Sequence, residues 1–183
     1  MPHPWVTERL RIRRFRRNDG PDLHELQGDP AATEFVGGPW TIAKTRETLD
    51  KIVDNYEIKE LEWFAVADKE TDKVLGVCWL GELNPKWCAA LGVGPQIELG
   101  YRYARAHWGK GYATEAARAM LQRGFHELKL PAIAAIVNVQ NTVSERVIQK
   151  LNMRYCTEAV RDGVRVRLYQ LSREEFDRTN VSP

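Results

Sequence analysis

Trp108-Gly109-Lys110-Gly111-Tyr112-Ala113-Thr114 opens the strongest helical pattern in the sequence. Ala113, Ala116, Ala117, Met120, Leu121, Gly124, Phe125 and Leu128 recur at the helical period, and Pro131 closes the run. A strand-like segment precedes it at 96–103 and a short apolar one follows at 132–137. This predicts a strand–helix–strand unit with a right-handed crossover. Glycines at 109 and 111 let the backbone turn sharply and approach an anion. The first N–H groups of the helix, at the positive end of its dipole, then suit a phosphate, and Thr114 adds a hydroxyl. A purely structural turn before a helix is the plain alternative. The spacing is neither Gly-x-x-x-x-Gly-Lys-Ser/Thr nor Gly-x-Gly-x-x-Gly with an acidic ribose partner. What remains is a phosphate-bearing ligand that needs neither magnesium nor a Rossmann half.

Outward from this unit the chain alternates strands and helices. Residues 6–15 read as a strand, followed by a turn at Asn18-Asp19-Gly20-Pro21 and a short helix through Leu23 and Leu26. A second helix carries Ile42, Leu49, Ile52, Val53 and Tyr56 on one face, capped by Thr41, with Glu47 and Lys51 in the favourable order. Segments 63–67 and 74–83 form a hairpin, and 84–95 reads as a loop. Thr142 and Glu145 have the spacing of a capping box for a helix over 142–151. Strands at 153–160 and 164–171, joined by Arg161-Asp162-Gly163, end the pattern. The expectation is one mixed α/β domain over 1–183.

Bulk properties exclude several classes. The 183 residues suffice for a core without disulfide or metal staples, and 43% hydrophobic with 28% charged residues is ordinary for a globular chain. A net charge of +2 gives no bulk argument for nucleic acid or membrane. No apolar run is long enough to span a bilayer, and Met1-Pro2-His3-Pro4-Trp5 is not a signal peptide. Cys78, Cys88 and Cys156 are odd in number and far apart, so a reducing, cytoplasmic setting is expected. His3, His24, His107 and His126 show no metal spacing. Arg9, Arg11, Arg13, Arg14, Arg16 and Arg17 could read phosphates. Their alternation with Leu10 and Ile12 favours instead the wet face of an edge strand.

The run Ile97-Glu98-Leu99-Gly100-Tyr101, with His107 to Ala116 after it, resembles the GNAT superfamily of acetyltransferases, and within it the RimJ/RimL-type branch. In that family the pattern Gln/Arg-x-x-Gly-x-Gly/Ala cradles the coenzyme A pyrophosphate. Trp108 stands at the Gln/Arg position, while Gly111 and Ala113 match. Asn141-Thr142-Val143-Ser144 and Leu151-Asn152-Met153 are similar to the family's Asn-x-x-Ser and Leu-Gly-Phe. Asn152 in place of glycine is mild, since Asn tolerates a left-handed helix end. Thr7-Glu8-Arg9-Leu10-Arg11-Ile12-Arg13 extends the likeness to nearly the whole chain.

The resemblance implies a twisted, mostly antiparallel central sheet with helices on both faces. It implies acetyl-CoA as cosubstrate, no metal, and an amine acceptor, either a protein N-terminus or a small molecule. Gly109, Lys110, Gly111, Tyr112, Ala113 and Thr114, beside Trp108, would hold the pyrophosphate. Backbone N–H groups of Tyr101, Arg102 and Tyr103 would hold the thioester carbonyl. Glu98 would be the general base, directly or through a water, although a solvated or salt-bridged strand carboxylate is an equal reading. Asn141 would bind the pantetheine arm and Ser144 the sulfur, because the family's usual tyrosine position is occupied by Ile148. The apolar run Trp87-Cys88-Ala89-Ala90-Leu91 would line the acceptor site or an oligomer contact.

Two other functions compete. One is the same catalyst acting on an aminoglycoside-type drug, which an acidic acceptor groove would favour, and no acidic cluster is visible. The other is a non-catalytic module that binds CoA, or that binds nucleic acid through the N-terminal arginines. A monomer and a homodimer are equally compatible with the sequence.

Overall fold

The computed structural model describes residues 4–55 and 63–180. The chain forms two compact units, Met1–Trp79 with Tyr101–Ala119, and Leu80–Gly100 with Met120–Pro183. His3 and Tyr56, named above, lie outside the described residues.

In the first unit, β1 (Trp5–Val6), β2 (Leu10–Arg13), β3 (Trp63–Asp68) and β4 (Val74–Glu82, whose last residues belong to the second unit) pair antiparallel in that order. The strand expected over 6–15 is therefore two strands. Thr7 breaks it: its N–H donates to the Leu10 carbonyl at 2.9 Å and its hydroxyl accepts from the Leu10 N–H at 3.0 Å. The local hydroxyl bond turns the backbone out of the extended ladder. As a result β2 lies between β1 and β3 instead of at an edge. Leu10 and Ile12 are fully buried, as the alternation requires. Arg13 is buried as well, against the alternation, because Asp19 and Asp72 receive its guanidinium.

A 3-10 turn at Arg17–Asp19 leads into α1 (Gly20–Gln27), and the single-turn α2 (Pro30–Thr33) follows under an Asp29 cap. Thr41 caps α3 (Ile42–Asn55), accepting from the Lys44 N–H at 3.2 Å, and Lys51 meets Glu47 at 2.5 Å. Ile42 is exposed, being in the first turn, so the buried face is narrower than expected. Leu49 and Ile52 on that face pack with Phe15, Leu23, Leu26, Ala65 and Val77. Each such side chain contributes about 1.5–3 kcal/mol on leaving water.

In the second unit, β5 (Ile97–Tyr103, continuing into the first unit), β6 (Ala132–Asn138), β8 (Val164–Ser172) and β7 (Arg154–Arg161) lie in that order. Only the β5–β6 pair is parallel among these; β6–β8 and β7–β8 are antiparallel. The mixed α/β layout with mostly antiparallel pairing thus holds. The segment expected as a loop contains α4 (Pro85–Leu91). Asn84 caps it, Pro85 opens it and Gly92 ends it in the left-handed region. Its Cys88 and Leu91 turn into a core with Leu83, Ala134, Val166 and Leu168.

α5 (Tyr112–Gln122) begins in the first unit and passes into a π turn, with the Leu128 N–H donating to the Arg123 carbonyl at 3.0 Å. Lys129, at φ +57°, reverses the chain before Pro131 is reached. α6 (Thr142–Lys150) is capped by Asn141 and not by Thr142. Glu145 does not reach back to close a capping box: its carboxylate accepts from Arg167 at 2.7 Å and Tyr169 at 2.5 Å. The charge-assisted pair outcompetes a single backbone N–H. Asn152 follows at φ +59°, as its tolerance of that region suggested. A last helix, α7 (Arg173–Asn180), was not expected from the sequence.

Candidate active site

In the first unit, β5 runs into the glycine turn and the turn into α5. Both ends of that turn are fastened to Tyr103. The Trp108 indole N–H donates to the Tyr103 carbonyl at 2.7 Å, and the Tyr103 hydroxyl donates to the Tyr112 carbonyl at 3.2 Å. Burial pushes the Tyr103 phenol well above its ordinary pKa, so it remains a neutral donor. β4 approaches closely beneath: a Cβ on Gly76 would fall 2.4 Å from the Tyr103 ring and 2.5 Å from the Arg102 carbonyl. Any larger residue there would displace this part of β5.

Gly109 and Gly111 have φ of +72° and +83°, in the region that glycine enters without strain. The Glu115 N–H closes the first helical bond onto the Gly111 carbonyl at 3.1 Å. The N–H groups of Tyr112, Ala113 and Thr114 ahead of it have no intrahelical acceptor. Nothing would meet a Cβ on Gly109 within 4 Å, so the turn is open on that side. Bare backbone N–H groups of this kind suit an anion, and Lys110 is exposed beside them. Both N–H groups of Trp108 are engaged within the protein, the backbone one with the Arg105 carbonyl, which leaves its half-exposed ring as the surface it offers a ligand.

The turn is also held by the first hairpin. Arg9 donates from Nη1 to the Lys110 carbonyl at 2.9 Å and lies 4.8 Å from the centre of the Tyr112 ring. Its Nε and Nη2 meet Glu115 at 2.8 and 2.7 Å, and Glu115 also accepts from the Arg9 N–H and the Thr7 hydroxyl. Burial alone would raise the Glu115 carboxyl; the Thr7 and Arg9 hydrogen bonds outweigh it and hold the pKa below the ordinary carboxylate value. The sequence placed Arg9 on the wet face of a strand and gave no sign of its pairing, with Thr7, to Glu115. More than a hundred residues separate the partners, and nothing local marks them as a set.

Five of the six arginines of the cluster meet carboxylates within the fold. Arg9 meets Glu115, Arg11, Arg13 and Arg16 meet Asp72, Arg13 also meets Asp19, and Arg17 meets Asp50 and Asp54.

In the second unit, Glu98 is half-buried on β5, directly across from Ala134 of the parallel β6. Asn141 follows the end of β6, its N–H on the Asn138 carbonyl at 2.8 Å. Its Oδ1 accepts from the Ser144 N–H at 3.0 Å, which fixes the half-buried Ser144 on the first turn of α6 and leaves the amide N–H2 as the group Asn141 can offer a ligand. Ile148 is buried in the core and carries no proton to donate. Tyr169, fixed by Glu145, has a phenol pushed up to about 12, first by burial and then by that carboxylate. Trp87 is half-buried under the Arg161 guanidinium, 5.3 Å from its ring centre. Among the described residues no group of His, Cys, Asp and Glu is placed to hold a metal, and no helix is long and apolar enough to cross a membrane.

Residues 9–154 match the sequence model of the acetyltransferase (GNAT) domain. The chain belongs to the GNAT acetyltransferase family. Its relatives include YkkB of Bacillus subtilis, 34% identical over 158 residues, which cover 82% of this chain and 84% of YkkB. The N-acetyltransferase p20 of Bacillus licheniformis is 31% identical, over 80% of this chain and 79% of p20. The GNAT acetyltransferase of Bacillus anthracis has a similar structure, with a TM-score of 0.79 at 27% identity over 94% of this chain and 99% of that one. The fold is also shared with RimL, a ribosomal L7/L12 N-acetyltransferase solved with coenzyme A, at a TM-score of 0.75 and 14% identity over 93% of this chain and 98% of RimL. The GNAT chain is therefore an acyltransferase, of a family that uses acetyl-CoA.

Proposed function

We propose that the protein transfers the acetyl group of acetyl-CoA directly to a primary amine. The observation that carries this reading is the pair of left-handed glycines immediately ahead of α5, latched at both ends to Tyr103 and from outside by Arg9. Gly109, Lys110, Gly111, Tyr112, Ala113 and Thr114, with Trp108 at the entrance, hold the pyrophosphate through backbone N–H groups and the helix dipole. Acetyl-CoA supplies the activated acyl group. The N–H groups of Tyr101, Arg102 and Tyr103 stabilise negative charge developing on the thioester oxygen. Asn141 binds the pantetheine arm through its amide N–H2.

The amine attacks only when neutral. An α-amine with pKa of about 7.7–8.0 is roughly a quarter neutral near pH 7.4, and a lysine-like amine near 10.4 about one part in a thousand. Glu98 takes the proton the amine loses as the N–C bond forms; Ser144 hydrogen-bonds the sulfur as the C–S bond breaks, and the proton held by Glu98 passes through solvent to the released thiolate. The pairing of Arg9, Arg11, Arg13, Arg16 and Arg17 with carboxylates of the fold weighs against a nucleic-acid-binding module.

Thiol release from acetyl-CoA, measured over peptides, amino acids, polyamines and aminoglycosides, tests the reading. Glu98→Gln should slow high-pKa amines about a hundredfold and α-amines much less. Equal loss across all amines would remove the base role from Glu98.

A further inference from the structure

Arg102 sits on β5 beside Tyr103, and neighbouring strand residues point to opposite faces. Tyr103 faces Tyr112; the Arg102 Nη1 instead donates to the Oε1 of Gln27, at the end of α1. Gln27 is fully buried, and its Nε2 has no hydrogen-bond partner. Arg102 forms no ion pair among the described residues. Asp29, two residues after Gln27, is already engaged, meeting Arg105 at 3.3 Å and the Ala31 N–H at 2.9 Å. Burial without a counter-charge draws the Arg102 pKa down to about 10.

The main-chain N–H of Trp40 donates to the Gln27 main-chain carbonyl at 2.8 Å. Trp40 stacks on Trp63, and Trp63 on Trp79, with ring centres 6.3 and 5.0 Å apart. All three rings are half-buried. A guanidinium drawn from water costs free energy unless an anion meets it, and a buried amide N–H2 without an acceptor adds to that cost. One incoming carboxylate supplies what both donors lack.

We propose that Arg102 and Gln27 bind a carboxylate carried by the amine acceptor, which makes the substrate a short amine with a nearby carboxylate, of amino-acid or peptide type. This rests on the amine-acetylation reading above, since the N–H groups assigned to the thioester carbonyl lie on the same three residues of β5. A polyamine or an aminoglycoside brings only positive charge to Arg102 and is disfavoured. The site discriminates strongly because an uncharged isostere leaves both donors unpaired.

The test separates binding from turnover. Propionate and succinate, with their amides as controls, are titrated by tryptophan fluorescence or calorimetry against the wild type, Gln27→Glu and Arg102→Gln. Acetyl-CoA affinity of Gln27→Glu, and the urea unfolding of both variants, are measured in parallel as controls for folding. The wild type should bind the acids at least tenfold more tightly than the amides. Gln27→Glu, which keeps the shape and pairs a carboxylate with Arg102, should erase that preference, as should Arg102→Gln. In turnover, Gln27→Glu should raise KM for carboxylated amines without raising it for their amides. Equal binding of acids and amides by the wild type, or an undiminished preference in Gln27→Glu, would overturn the proposal. Acid-selective binding with no thiol release from any amine would uphold the site and reject the transfer reading. Thiol release indifferent to the carboxylate would do the reverse.

Discussion

Arg13 and Arg102 are both drawn out of water on strands of the first unit, and their partners could hardly differ more. Arg13 meets Asp19 through two parallel bonds of 2.8 and 2.9 Å and Asp72 through a third at 3.1 Å. Burial works against its charge, yet the two carboxylates hold its pKa above the ordinary value. Arg102 has a neutral amide, and its pKa falls. A buried cation with its charge matched inside the fold is a structural joint. One left unmatched beside the candidate site is available to a ligand. Arg9 lies between the two cases: paired with Glu115, half-exposed, and holding the glycine turn in shape.

The contrast is open to direct attack. Asp19→Asn leaves Arg13 with a reduced counter-charge in a closed space and should cost about 3–5 kcal/mol in urea unfolding. A loss no larger than that of an exposed substitution would mean the Arg13 cluster is not a joint. Removing the Arg9 latch should act mainly on the donor: Arg9→Ala should weaken acetyl-CoA binding about tenfold, ~1.4 kcal/mol, with a smaller loss of stability. Unchanged acetyl-CoA affinity would confine Arg9 to structure.

Glu115 adds a pH signature. Its folded pKa lies below the unfolded value of about 4.3. Its contribution to stability is therefore complete above about pH 4.3 and is lost as pH falls through the lowered folded value. Glu115→Gln should flatten that acid limb and leave the neutral region parallel to the wild type; an unaltered limb would exclude Glu115 as its source. The smallest effect belongs to Trp108→Phe, which removes one neutral hydrogen bond to the Tyr103 carbonyl. It should cost about 1 kcal/mol and raise the KM for acetyl-CoA a few-fold, and a larger rise would give the indole a direct part in binding.

What could be read in the sequence was what local chemistry determines. The glycine turn before α5, the hairpin at Arg161-Asp162-Gly163 and the left-handed Asn152 all follow from backbone preferences of a few adjacent residues. α4 was missed, 84–95 being expected as a loop: Asn84, Pro85 and Gly92 are start and stop signals, but seven residues are too few for the period to announce a helix. The cap of α6 went to Asn141 because Glu145 was drawn to Arg167 and Tyr169, partners more than twenty residues away. The arginines of the first hairpin alternate as a wet face should, and no periodicity reveals that Asp19 and Asp72 have taken Arg13 inside. Long-range charge pairing decided those cases, and it is the layer a single sequence carries least of.

The central claim is acetyl transfer from acetyl-CoA, held by the glycine turn, to an amine. Its most direct measurement is the stoichiometry of free thiol against N-acetylated product for the wild type and Gly111→Val. Gly111 lies at φ +83° with the Arg9 guanidinium 3.3 Å from where a Cβ would stand, so valine there strains the turn and crowds its latch. One thiol per acetylated amine, with acetyl-CoA binding and turnover both collapsing in Gly111→Val, is the predicted result. Thiol release that ignores the amine, or a Gly111→Val protein that binds and turns over acetyl-CoA like the wild type, would contradict it.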